Sequence, residues 1–138
     1  PCRSARQTAE AISDALDIRL KRLDKLPNVN HGLWQGRCLE EVRLTQPKVY
    51  RQWIEHPEQV CPPEGETLAD AQKRAGEVVA KLLKKHKDGV IGIVAPEPMA
   101  GLMRCQLAGK ALSDVWKSSP GCGRFEVITV QPATLVAS

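Results

Sequence analysis

The side chains able to do acid–base or phosphoryl chemistry lie in three short stretches. They are His31 in an Asn- and Gly-rich loop, Glu64 and Glu66 before a helix, and Glu97 within Ala95-Pro96-Glu97-Pro98. Two carboxylates can act as general acid and general base. Acidic residues beside a helix N-terminus also stabilise the helix. We favour helix capping for Glu64 and Glu66, and we keep Glu66 as a candidate pocket residue.

The remaining histidines and the cysteines predict no further site. His56 precedes a proline, and His86 ends a lysine-rich helix, where positive charge complements the helix dipole. The five cysteines are odd in number and lack a C-x-x-C pair or a histidine at metal-ligand spacing: Cys2, Cys38, Cys61, Cys105 and Cys122. We therefore predict reduced thiols in a cytoplasmic protein, with no metal site and no cofactor.

The element that must position these groups runs from Pro62 to Gly109 and is predicted to be an αβα unit. Thr67 can N-cap a helix, with Asp70 three residues further on. Apolar residues then recur at helical spacing and form one stripe: Leu68, Ala71, Ala75, Val78, Val79, Leu82 and Leu83. Such a stripe predicts a helix that packs on a sheet.

A buried strand is predicted directly after this helix. Val90-Ile91-Gly92-Ile93-Val94 is short, apolar and β-branched, which favours a strand covered on both faces of a parallel sheet. Ligands bind at the carboxyl ends of such strands, so residues 95 to 98 are the place to seek a site. A second helix follows from Met99, with Pro98 at its start.

The other elements complete a predicted α/β fold. It is a three-layer αβα arrangement with a mostly parallel central sheet. We predict a helix over residues 4–16 with Ser4 as its N-cap, an edge strand Ile18–Leu23, and two short helices, Leu39–Thr45 and Lys48–Ile54. Further strands are expected at 125–130 and 135–137.

Composition narrows the classes of protein that the chain can belong to. Its 138 residues, 42% hydrophobic and 26% charged, predict one globular domain over 1–138. The net charge of +4 is scattered along helices, and one Phe and one Tyr offer little stacking surface, so we expect no nucleic-acid partner. No apolar run approaches the roughly 20 residues of a membrane-spanning helix, so no membrane partner is expected.

Three stretches carry a family resemblance. Pro1-Cys2-Arg3-Ser4-Ala5-Arg6-Gln7-Thr8-Ala9-Glu10 resembles a Ser-Pro-Leu-x-Arg-Ala-x-x-Thr-Ala segment, and Gly32-Leu33-Trp34-Gln35-Gly36 resembles a Gly-x-Trp-x-Gly turn. Gly65-Glu66-Thr67, followed by a helix, a strand and a second helix, completes the order. The chain is thus similar to the histidine phosphatase superfamily, the phosphoglycerate-mutase-like proteins.

The resemblance implies phosphoryl transfer through a histidine in an Arg-His-Gly segment on the first strand. The sequence contains no such segment. We therefore expect the domain to lack that strand, unless it lies before Pro1. His31-Gly32 has neither the preceding arginine nor a preceding strand, so we interpret His31 as a loop residue.

Three further positions match the family's pocket but carry other residues. Ser4 stands where the family has a phosphate-binding arginine, and Arg3 lies one place earlier. Asn28 stands where the family has the glutamate that acts as the acid, and Pro96 stands where the family has the second histidine. A hydroxyl lacks the bidentate guanidinium fork, and an amide is not a carboxylic acid. Glu97 adds negative charge where the family binds an anion, and Ala95 and Arg3 are further candidate contacts. Arg3, Arg6 or Arg104 could supply the missing charge, although we interpret all three as surface arginines.

Two principal hypotheses follow. The first is a catalytically inactive family member that acts as a binding or assembly module for a small phosphorylated ligand or a protein partner. The second is an active phosphomonoesterase or phosphomutase whose phosphohistidine lies upstream of Pro1. A weaker third alternative is a homo-oligomer in which another chain supplies the missing strand.

Overall fold

A computed structural model describes residues 2–116 and 125–130. In these ranges the chain forms α1 (Arg3–Leu16), α2 (Leu39–Thr45), α3 (Pro47–Glu55), α4 (Leu68–Lys85) and α5 (Met99–Leu107). Three short 3₁₀ turns connect them, at Gly32–Trp34, Pro57–Gln59 and Leu112–Trp116. No helix of the described ranges is long and apolar enough to cross a membrane.

Helix α4 begins as its sequence predicts. The Thr67 hydroxyl oxygen accepts a hydrogen bond from the Asp70 N–H at 3.0 Å and lies 2.6 Å from an Asp70 carboxylate oxygen. The cap therefore satisfies one of the N–H groups that the first turn leaves without a helical partner. The predicted stripe is confirmed, with five of its residues buried: Leu68, Ala71, Ala75, Val78 and Val79.

The core forms where α4 packs against α5. Met99 and Leu102 of α5 are fully buried, and Val115 of the last 3₁₀ turn closes the same cluster. Leu26 and Val29 enter the cluster from the loop that precedes the Gly32–Trp34 turn. This packing holds loop 26–32 and segment 95–98 on one core.

The predicted central sheet is not confirmed by the described residues, none of which lies in a strand. Ile18–Leu23, Val90–Val94 and 125–130 have no regular secondary structure, and the expectation that 90–94 is buried is wrong, because Val90 is 99% exposed. Among the described residues no backbone hydrogen bond pairs any of these segments with another. Composition supplies strand propensity, but a strand requires hydrogen bonds to a neighbouring strand. The predicted strand 135–137 lies outside the described residues, as does Cys122.

The N-terminal helix also differs in detail from the prediction. It begins at Arg3, with Cys2 as a cap residue that makes no side-chain cap bond, so the N-cap role predicted for Ser4 is wrong. Ser4 already lies inside the first turn. The helical pair is confirmed as α2 and α3, and Trp53 of α3 is buried.

Two loops contact each other backbone to backbone, and we call Asn30–Leu33 with Pro63–Glu66 the loop clasp. The Leu33 N–H donates to the Pro63 carbonyl at 3.0 Å, and the Glu66 N–H donates to the Asn30 carbonyl at 2.9 Å. A Cβ on Gly32, which has φ +52°, would lie 2.0 Å from the Pro63 oxygen. Glycine is therefore required there by both its backbone conformation and the close approach.

The Glu66 carboxylate ties the loop clasp to α4. Its Oε1 accepts from the Asn30 N–H at 2.8 Å and from Arg74 Nη2 at 2.7 Å. Arg74 Nη1 also donates to the Pro27 carbonyl at 3.1 Å. Glu66 therefore fixes the path of loop 27–32 relative to α4.

Leu102→Ala is expected to lower the free energy of unfolding by about 2–5 kcal/mol, because it opens a cavity between α4 and α5. Leu44→Ala on α2 is the matched control, since Leu44 is 72% exposed, and its effect should stay within about 0.5 kcal/mol. Urea denaturation followed by circular dichroism measures both. Equal losses in the two variants would contradict the assignment of the core.

Glu66→Gln is expected to cost about 1–3 kcal/mol of unfolding free energy, because a charge-assisted pair becomes a weaker neutral hydrogen bond. Glu77→Gln, an exposed position on the same helix, serves as the control for a lost carboxylate. The same denaturation experiment compares them. A Glu66→Gln protein as stable as Glu77→Gln would show that the loop clasp does not need this charge.

Candidate functional site

Segment 95–98 leads directly into the first turn of α5. Ala95 packs against the core, and the Pro96 carbonyl accepts from the Ala100 N–H at 3.0 Å. The Pro98 carbonyl accepts from the Leu102 N–H at 3.0 Å, and the Glu97–Pro98 peptide is cis. The segment is therefore held in a defined position at the N-terminal end of α5.

The Glu97 side chain turns back onto that helix end. Its Oε2 accepts a hydrogen bond from the Gly101 N–H at 2.9 Å. A Cβ on Gly101 would lie 2.9 Å from the same oxygen, so the glycine leaves room for the carboxylate. A negative charge here also interacts favourably with the positive end of the helix dipole.

Arg104 lies on the same side of α5 and is only 7% exposed. Its Nη1 is 3.6 Å from Glu97 Oε1, and its Nε is 3.7 Å from Glu126 Oε2. Its Nε and Nη2 atoms have no hydrogen-bond partner within the described residues. The interpretation of Arg104 as a surface arginine is therefore wrong. Gly101 and Arg104 are three residues apart and share one face of α5, and Glu97 lies four residues before Gly101; this spacing is the sequence signal for the cluster.

Asn28 connects the loop before the Gly32–Trp34 turn to this segment. Its Nδ2 donates to the Glu97 carbonyl at 3.0 Å, and its Oδ1 accepts from the Val29 N–H at 2.9 Å. Both ends of the amide are thus engaged by backbone groups. The structure brings Asn28 and Glu97 together with Pro96 adjacent, although 69 residues separate Asn28 from Glu97 in sequence.

Ser4 and Arg3 lie at the start of α1, and both are exposed. The Ser4 Oγ is 3.1 Å from the Cys2 Sγ, a contact that is the largest cause lowering the pKa of the Cys2 thiol. Among the described residues no hydrogen bond or ion pair joins Ser4 or Arg3 to Asn28 or to 95–97. Their membership of one pocket with those residues stays a prediction.

His31, in the loop clasp, is half-buried beside aromatic rings of the Gly32–Trp34 turn and of α3. Its ring meets Trp53 edge to face at a centroid distance of 5.9 Å, and Trp34 meets Trp53 at 6.0 Å. Burial lowers the pKa of His31 below its ordinary value, against the opposing effect of the Glu66 charge. The lowered pKa favours the neutral form of the imidazole.

The polar groups assembled around Asn28 and Glu97 are engaged with one another and with the backbone. The carboxylate is already engaged by Gly101 and Arg104, and the amide by two backbone groups. Two surface depressions of about 370 Å³ lie elsewhere, one along α3 beside Tyr50 and one beside His56 and Leu112. Neither is lined by Asn28, Glu97 or Arg104.

Comparison with known proteins relates this chain to one family of phosphatases. Phosphoserine phosphatase 1 of Hydrogenobacter thermophilus is 30% identical over 131 residues, which are 95% of this chain and 62% of the relative. The chain therefore spans less than two thirds of the length of that relative.

A solved structure and a family model relate the chain to the same group of proteins. The solved structure of Bacillus stearothermophilus YhfR superposes with a TM-score of 0.72 at 23% identity, covering 83% of this chain and 57% of YhfR. The family model of the histidine phosphatase superfamily (branch 1) matches residues 1–136, almost the whole chain. The resemblance seen in the sequence is thereby confirmed, and the chain belongs to the histidine phosphatase superfamily.

Proposed function

We propose that the groups of this chain do not catalyse phosphoryl transfer and that the protein is a binding or assembly module built on a histidine-phosphatase scaffold. The observation that carries the proposal is the contact between Asn28 and Glu97. The contact joins two positions at which the family resemblance implies catalytic or anion-binding groups. In this chain the Asn28 amide is hydrogen-bonded to the Glu97 carbonyl and to the Val29 N–H.

The chemistry of the substituted positions supports this proposal. Proline at position 96 has no imidazole nitrogen and no N–H to offer to a phosphoryl oxygen, and Asn28 has no carboxylic proton. Glu97 brings a carboxylate to the α5 terminus, where it would repel an incoming phosphate. Ser4 lacks the planar fork with which arginine holds phosphate. These four changes act on binding, proton donation and charge, so no single compensation restores them.

A second candidate function is an active phosphomonoesterase or phosphomutase that uses a phosphohistidine upstream of Pro1. The 30% identity to a protein named phosphoserine phosphatase favours it. Such an enzyme would transfer the phosphoryl group to that histidine and then to water or a second hydroxyl. Arg3 or Arg104 would then have to supply the positive charge, and Arg104 is already paired with two carboxylates.

A protein partner fits the described surface better than a small phosphorylated ligand. Segments 18–23, 90–94 and 125–130 expose large apolar side chains, including Ile18, Val90 and Phe125. Within the described part of the chain these segments make no backbone hydrogen bonds with one another, and exposed apolar segments can be recognised by pairing with another strand. The cytoplasm is the compartment we propose, because the described cysteines are all free thiols.

A second copy of this chain is the partner we propose for segment 90–94. This segment carries no charged residue, so two copies can approach each other there without like-charge repulsion. Ile18–Leu23, by contrast, carries Arg19, Lys21 and Arg22, which disfavour self-pairing.

The absence of catalysis predicts no hydrolysis of phosphoserine or p-nitrophenyl phosphate above the buffer rate. It also predicts no acid-labile phosphohistidine after incubation with either substrate. An assay of released inorganic phosphate measures the hydrolysis. The phosphohistidine is tested by asking whether the incubated protein carries phosphate at neutral pH and loses it in acid. Turnover that vanishes in His31→Asn, or in any other single variant of this chain, would defeat the proposal. Turnover that instead requires an upstream Arg-His-Gly in the encoded polypeptide would establish the second candidate.

Self-association through segment 90–94 predicts that the protein sediments as a dimer or larger species at micromolar concentration. Val90→Lys should shift it to the monomer, because two lysines would meet across the contact. Leu44→Lys is the control, being a comparably exposed apolar position on α2. Sedimentation velocity distinguishes them, and a wild-type protein that is monomeric throughout the concentration series would refute self-association.

A further inference from the structure

We propose that the two ends of α4 are complementary docking surfaces, and that the acidic end of one molecule contacts the basic end of a second copy of this chain. The basic end consists of four residues: Lys81, Lys84, Lys85 and Lys87. The acidic end consists of three residues: Glu64, Glu66 and Asp70. The inference rests on the self-association proposed at segment 90–94, to which it adds a second contact and a defined orientation.

The excess positive charge of the chain is concentrated at the basic end. Four of the 20 Lys and Arg residues lie there, and the other 16 equal the 16 Asp and Glu residues in number. The basic end therefore accounts for the whole net charge of +4. All four lysines are exposed, and none of them forms an ion pair with another described residue. Their ammonium groups are thus available to a second molecule.

The acidic end has the opposite composition. The chain has no Lys or Arg between Arg51 and Lys73, and this stretch contains five acidic residues: Glu55, Glu58, Glu64, Glu66 and Asp70. Glu66 is paired with Arg74 at 2.7 Å. Glu64 and Asp70 are exposed, and neither forms an ion pair within the part of the chain that the structure describes. The acidic end therefore keeps a net negative charge that faces solvent.

The dipole of α4 does not account for these charges. It is equivalent to roughly half an elementary charge at each helix end, whereas the basic end carries four lysines. The 18 residues of α4 separate its two ends by about 27 Å. This distance exceeds the Debye length of about 8 Å at physiological ionic strength. The two ends of one molecule thus do not neutralise each other, and each can attract the opposite end of another molecule.

Segment 90–94 leads from the basic end of α4 back towards the acidic end. It begins directly beyond the basic end and continues to Glu97. The Glu97 carbonyl accepts from Asn28, and the loop that carries Asn28 is bound to Glu66 through the Asn30 N–H. A second copy turned end for end can therefore contact segment 90–94 and both ends of α4 together. Two-fold symmetry then forms the charge contact twice, whereas a parallel orientation would bring like charges together.

Charge reversal followed by mixing tests the contact. The basic-end variant carries Lys81→Glu, Lys84→Glu and Lys87→Glu, and the acidic-end variant carries Glu64→Lys and Asp70→Lys. Each variant alone should sediment as a monomer where the wild type associates, because its two ends then carry like charges. An equimolar mixture of the variants should restore association, since the reversed ends are complementary again. The dissociation constant of the wild-type dimer should rise about tenfold when sodium chloride is raised from about 20 to about 300 mM, because salt shortens the Debye length.

The control variant reverses three exposed basic residues outside α4, Arg19→Glu, Lys21→Glu and Lys48→Glu, and changes the net charge by the same amount as the basic-end variant. It should associate as the wild type does. Circular dichroism checks that every variant is folded, and Glu64→Lys with Ala69→Lys replaces the acidic-end variant if that protein does not fold.

Two results would overturn the inference and leave self-association at segment 90–94 in place. One is wild-type association that responds neither to salt nor to either charge reversal. The other is association that the reversals weaken but that mixing does not restore, which would show that the two ends do not contact each other. A wild-type protein that is monomeric at every salt concentration would instead refute both the inference and the proposed self-association.

Discussion

The burial of the α4 stripe against α5 is the interaction on which the rest of the described structure depends. Leu68, Ala71 and Ala75 of α4 share one cluster with Met99 and Leu102 of α5. Loop 26–32 is attached to that cluster through Leu26 and Val29 and to α4 through Arg74. Segment 95–98 is fixed because it begins α5. The meeting of Asn28 with Glu97 therefore follows from helix packing and loop anchoring.

The sequence resemblance predicts an anion-binding site near Pro96, and the Glu97 carboxylate lies next to that position. The Glu97 carboxylate caps α5 and faces a buried arginine, and Pro96, which has no imidazole, precedes it. Glu66, a pocket candidate in the sequence, instead secures the loop clasp through Asn30 and Arg74. Both carboxylates thus have structural partners, and this supports a scaffold whose polar groups are used internally.

The sequence predicts the helical part of this fold well and the rest poorly, for a physical reason. Helices depend on nearby residues, so the Thr67 cap, the α4 stripe and the α2–α3 pair could be located from spacing alone. Strands depend on distant partners, and the apolar run Val90–Val94 has strand propensity but no backbone hydrogen bond to another of the described segments. In the site, the spacing of Glu97, Gly101 and Arg104 is visible in the sequence. The bond from Asn28 to Glu97 spans 69 residues and required the folded chain.

A crystal structure of the protein grown in the presence of vanadate, an oxyanion that mimics phosphoryl transfer, tests the central claim most directly. Our account predicts the Glu97 carboxylate on the Gly101 N–H, with Asn28 on the Glu97 carbonyl and no oxyanion density at the N-terminus of α5. Vanadate bound at that position in the wild-type protein, with Glu97 displaced towards solvent, would contradict it.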